Sequence, residues 1–166
     1  KGHFTLYGLG HRWAIDSGYG NNQDLEGRAQ TIAHNCVLID GMGQALSGAG
    51  LGTSGSILAY ENNARFGYAL ADCADAYNQN SDGHPGIGVH HALRHALFIH
   101  PSQAIPAYVI LLDDIQRDEE AHDYTWLLHT DANLTIRAEG SSATVKPSEL
   151  PIGATDSQRL RVHVFS

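Results

Sequence analysis

Residues 3–16 run His3-Phe4-Thr5-Leu6-Tyr7-Gly8-Leu9-Gly10-His11-Arg12-Trp13-Ala14-Ile15-Asp16. Segments 3–7 and 11–16 mix apolar, aromatic and polar side chains in the manner of strands, and Gly8-Leu9-Gly10 lies between them as a turn. Glycine reaches the positive backbone angles that tight hairpins need, so the stretch predicts a β-hairpin. Similar segments follow at 34–40, 56–61, 65–72, 92–100, 107–115, 122–131, 134–139, 142–146 and 159–165. Turn residues separate them, with longer glycine-rich loops at 17–30 and 41–55. Only Leu70–Tyr77 has helical spacing, enough for one or two turns. About ten short strands punctuated this way predict a mainly β chain, folded as an antiparallel β-sandwich. Segment 107–115 is apolar until Asp113-Asp114 and predicts a central strand covered on both faces.

The 166 residues fit one domain spanning positions 1–166, and 42% hydrophobic content is enough for a core. The opening and closing segments both read as strands in progress, which predicts a piece of a longer protein, truncated at both ends. A formal charge of −8 argues against a nucleic-acid partner, because phosphate neutralisation needs a basic surface. No apolar run approaches the ~18 residues of a membrane-spanning helix. Arginine outnumbers lysine eight to two, which favours forked recognition of carboxylates. Two cysteines, Cys36 and Cys73, sit in apolar runs and read as buried free thiols.

Groups able to carry chemistry are few. Asp16 ends the second strand and His34 opens the third. A carboxylate and an imidazole at strand ends are suitable zinc ligands, although Asp16 equally suits a turn cap and His34 an ordinary strand position. His90, His91, His95 and His100 lie in one stretch without a recognised metal spacing, and solvated or hydrogen-bonded histidines on a sheet face are the plainer reading. His122 and His129 fall on opposite faces of their segment. Asp113 and Asp114 also point to opposite faces, which favours structural roles over a paired acid and base. Tyr19, in the first loop, is a plausible acid/base or sugar-stacking group and equally an aromatic that packs a turn. No phosphate-binding glycine motif and no nucleophile elbow occurs.

Several blocks resemble the heparinase II/III-like polysaccharide lyases. They are Phe4-Thr5-Leu6-Tyr7, Trp13-Ala14-Ile15-Asp16-Ser17-Gly18-Tyr19-Gly20, Ala33-His34-Asn35-Cys36-Val37-Leu38-Ile39-Asp40-Gly41-Met42-Gly43-Gln44, Ala71–Tyr77, Arg94–Ile99, Tyr108–Ile115 and Trp126–Thr130. The block from His34 to Gly41 is the most specific. The resemblance implies a bacterial, periplasmic or secreted lyase in which an N-terminal α/α toroid precedes antiparallel β-sheet domains. It implies β-elimination on acidic, uronate-containing polysaccharide or oligosaccharide such as heparan sulfate or alginate, with the fragment inactive without its toroid. It also implies a structural zinc held by two histidines and an aspartate. Asp16 and His34 match two of these, and the third ligand is expected upstream of Lys1. Tyr19 is then the catalytic expectation, with Asn35 and Arg28 as substrate contacts. The alternative is a non-catalytic carbohydrate-binding or scaffold sandwich.

Overall fold

The computed structural model describes residues 1–18, 30–45, 54–80, 85–149 and 158–165. Among these residues the chain is mainly β and every strand pairing is antiparallel. The strands are β1 (Leu6–Gly8), β2 (His11–Ala14), β3 (Val37–Ile39), β4 (Ser56–Asn62), β5 (Phe66–Asp72), β6 (His91–Ile99), β7 (Tyr108–Gln116), β8 (Tyr124–Trp126), β9 (Leu134–Glu139), β10 (Ser142–Pro147) and β11 (Leu160–His163). They form the pairs β1-β2 and β3-β8, the triple β11-β10-β9 and the four-stranded sheet β4-β5-β6-β7. One short helix, α1 (Ala74–Asn78), follows β5 and occupies the end of the segment with helical spacing.

The predicted hairpin forms. Leu9 and Gly10 take φ of 53° and 79°, the left-handed pair that matches the twist of the flanking strands. Leucine in that conformation costs about 1–2 kcal/mol. Trp13 offsets the cost: its indole N–H donates to Gly8 O at 2.9 Å, and its ring is buried against Leu134 and Val145. Leu6 and Leu160 complete this cluster, which joins the β1-β2 hairpin to the β9–β11 sheet.

A second core gathers Ile39, Cys73, Tyr77, Ile87, Val89 and Ala92, with Ala71, Ala74 and Ile115 at its margin. Both cysteines are buried free thiols, as the sequence predicts. The Tyr77 hydroxyl donates to Val37 O at 2.6 Å and ties α1 to β3, and burial pushes that phenol upward. Asn78 brackets Val89 with both side-chain groups at 2.6 and 2.8 Å. Gly86 passes so close that a Cβ there would lie 2.1 Å from Asn78 O, so only glycine fits.

One expectation is overturned. Segment 107–115 is not a central strand: β7 stands at the edge of its sheet, paired only with β6 among the described residues. Tyr108, Val109, Ile110 and Leu112 are 36–58% exposed. Length and apolarity describe a strand with two apolar faces, and they do not say how many neighbours it has.

Candidate metal centre

Three chain segments converge where β2 ends and β3 begins. His3 Nε2 lies 3.4 Å from Asp16 Oδ2, and His34 Nδ1 lies 3.3 Å from Asp16 Oδ1. The two imidazoles meet edge to face with centroids 5.3 Å apart. One donor atom from each residue lies within 4.8 Å of the others, and this is the one such group of three among the described residues.

Local structure aims each side chain. Asp16 Oδ1 accepts the Gly18 N–H at 2.8 Å, so Asp16 does cap its turn, with Gly18 at φ 86°. The Ile15 N–H donates to His129 O at 2.9 Å, which fixes the backbone beside Asp16. His34 leaves a single 3-10 turn, Thr31–Ala33, and its N–H returns to Thr31 O at 3.0 Å. The same turn lines a cleft of about 210 Å³ together with Leu38, Met42 and Pro85. His3 is held through Nδ1, which accepts the Asn35 N–H at 3.0 Å.

Arg94 braces the arrangement from below. It is 6% exposed, donates from Nε and Nη2 to the two Asp113 oxygens at 2.6 and 2.8 Å, and donates from Nη1 to Gly2 O and Asn35 O, each at 2.6 Å. Its guanidinium carbon also stands 5.7 Å over the Phe4 ring. Burial opposes the charge, but the Asp113 hydrogen bonds and negative charge outweigh it and raise the Arg94 pKa. This forked pair is stronger than a single contact because both carboxylate oxygens are held.

The donor set and its spacing fit a zinc ion. Bonds of about 2.0–2.1 Å in tetrahedral geometry put ligand atoms roughly 3.3–3.4 Å apart. The 3.3 and 3.4 Å separations run to different Asp16 oxygens and are too long for good hydrogen bonds, while one donor atom from each of the three residues lies within 4.8 Å of the others, close enough to share one ion. His3 Nε2 is a buried nitrogen with no hydrogen-bond partner. Burial, partly countered by Asp16, lowers the His3 pKa and so favours the neutral ring. Because Nδ1 accepts from Asn35, the hydrogen-bond network assigns the ring proton to Nε2, facing Asp16; a cation held there takes the place of that proton. Two nitrogens and one oxygen are a familiar zinc set that leaves a fourth position open.

The structure brings together Asp16 and His34, which the sequence paired. The family resemblance places the third ligand upstream of Lys1, whereas in the structure His3 completes the cluster. The hairpin carried the signal. Leu6 pairs with Ala14, and two further residues along this register put position 4 opposite position 16.

Asn35 does not stand where a substrate contact is needed. It is 0% exposed and its side chain is spent on backbone groups: Nδ2 donates to Phe4 O and Ile15 O at 2.8 and 3.1 Å, and Oδ1 accepts the His129 N–H at 2.6 Å. Tyr19 and Arg28 lie outside the described residues. Asp113 and Asp114 do part company, to Arg94 and to His91 at 2.9 Å. His95 shares a 2.8 Å hydrogen bond with the Tyr68 hydroxyl. His122, apart from His129, is held between Asp40 and Asp118 at 2.8 Å each.

Residues 1–163 match a family of polysaccharide-lyase domains built as β-sandwiches. That family is Heparinase II/III-like, C-terminal, and the chain belongs to it. Comparison with curated proteins gives no match. No helix among the described residues is long and apolar enough to cross a membrane.

Proposed function

We propose that this chain is the β-sandwich portion of a bacterial lyase, periplasmic or secreted, that cleaves uronate-containing acidic polysaccharide such as heparan sulfate or alginate by β-elimination. His3, Asp16 and His34 hold one zinc ion in this reading. The observation that carries the zinc assignment is the convergence of one donor atom each from His3, Asp16 and His34 within 4.8 Å of one another.

β-Elimination needs three things: neutralisation of the uronate carboxylate, removal of the C5 proton, and a proton for the departing O4. A zinc ion bound here supplies positive charge and a crosslink. Asp16 orients the start of the segment that carries Tyr19, because its Oδ1 holds the Gly18 N–H. Tyr19 is the proton-transfer group assigned to this domain, and Arg28 supplies a guanidinium fork for the uronate carboxylate. An N-terminal α/α toroid completes the cleft and brings the remaining positive charge, since this chain carries −8.

The test uses the full-length parent protein with alginate and heparan sulfate oligosaccharides, following the ultraviolet absorbance of the unsaturated uronate product. Turnover that falls together with thermal stability on chelation, and returns with zinc, supports the reading. Activity and stability that both survive complete chelation overturn the zinc assignment. A lack of product from every uronate polymer overturns the substrate class.

A further inference from the structure

We propose that Asn35 is the positioning residue of the His3–Asp16–His34 centre, a role that rests on the zinc reading of that cluster. Each donor residue is one peptide away from an atom of Asn35 or from an atom that Asn35 grips. Phe4 follows His3, and its carbonyl accepts from Asn35 Nδ2 at 2.8 Å. Ile15 precedes Asp16, and its carbonyl accepts from the same nitrogen at 3.1 Å. His34 is the neighbouring residue in the chain. The Asn35 N–H reaches His3 Nδ1 directly at 3.0 Å.

The chemistry explains why the residue is asparagine. A primary amide offers two donors and an acceptor oxygen. Here two carbonyls need donors and one N–H, that of His129, needs an acceptor. Aspartate has nearly the same volume but turns a charged oxygen toward carbonyl dipoles. Alanine leaves three buried backbone groups unpaired. Glutamine is one methylene too long for a site with no exposed surface. The backbone carbonyl of Asn35 in turn accepts from Arg94 Nη1 at 2.6 Å, so the residue is held through its main chain as well as its side chain. Groups behind the ligands of a metal set ligand orientation and typically tune affinity 10–100-fold.

The test compares the parent protein with its Asn35→Asp variant. Zinc affinity is read by chelator competition, and geometry by the visible absorption of the cobalt-substituted form. Folding is checked separately by circular dichroism without metal. Val145→Ala serves as a control for general loosening, because Val145 packs in a cluster that contains none of the three donor residues. The proposal expects Asn35→Asp to bind zinc about 10–100-fold more weakly with an altered cobalt spectrum. Val145→Ala should lower thermal stability and leave both readouts in place. An Asn35→Asp protein that is folded and has wild-type affinity and spectrum overturns the role.

Should that variant fail to fold, hydrogen exchange of the wild-type protein decides. Zinc loading should slow exchange at the Asn35 and His129 amides, and unchanged exchange there overturns the proposal. A wild-type protein that takes up no zinc overturns the metal reading itself, and the role of Asn35 with it.

Discussion

Arg94 and Asp113 face each other directly across β6 and β7 and close a two-bond fork, with Arg94 6% exposed. The remaining guanidinium nitrogen holds the carbonyls of Gly2 and Asn35. The four-stranded sheet is thereby linked to both the opening segment and the start of β3.

Removing one partner leaves the other charge buried and unpaired. Asp113→Ala should destabilise the protein by about 3–5 kcal/mol in urea denaturation. Replacing both residues with apolar groups of similar size, as in Arg94→Met with Asp113→Leu, should cost less than the sum of the two single changes, because it strands no charge even though Gly2 O and Asn35 O lose their donor. A double variant that loses as much as the sum of the singles would refute this account of the pair.

Gly86→Ala drives a Cβ to within 2.1 Å of a backbone oxygen, Asn78 O. The run that supplies Ile87 and Val89 to the core must move. A loss of about 1–3 kcal/mol is expected on thermal unfolding. An unchanged midpoint would show that this close approach is not needed in solution.

The His122 clasp gives the fold a pH signature. Hydrogen bonds to Asp118 and Asp40 raise the His122 pKa above its ordinary value. Asp40 falls below the usual carboxylate range through its bond from the Asp123 N–H and then through His122; Asp118 falls through His122. The histidine's contribution is fully present below about pH 6.5 and is lost as pH rises through the raised value. The carboxylates' contribution is present above about pH 3.9 and is lost as pH falls through their lowered values. Stability from this clasp should peak between these limits, and His122→Gln should flatten that part of the profile. Parallel pH profiles for variant and wild type would contradict it.

Much of the fold was legible because strand alternation and turn glycines are local signals. Glycine at position 10 announces the β1-β2 hairpin, and the closing segment reads as strand where β11 stands, whereas the opening segment becomes strand only from Leu6. The sequence places Asp40 at the end of strand 34–40 and Gly41 at the start of a loop, but the two residues form one turn. It is a tight reversal with both residues at positive φ, closed by paired hydrogen bonds between Ile39 and Met42 at 2.9 Å. Long-range facts were less visible. The edge position of β7 depends on which strands lie beside it. The burial of Asn35 depends on three segments meeting, and a polar residue in an apolar run looks the same whether it faces a sugar or a ring of carbonyls. His3 was overlooked because its partner, Asp16, is a neighbour only once the hairpin has formed.

Zinc content and coordination test the central claim most directly. X-ray absorption on the purified parent protein, paired with metal analysis of His3→Ala, Asp16→Asn and His34→Ala, reads ligands and stoichiometry together. One zinc per chain, with nitrogen and oxygen neighbours at about 2.0–2.2 Å and with loss of the metal in each variant, is the predicted result. Zinc that remains at full stoichiometry in all three variants, or a wild-type protein that binds none, would contradict it.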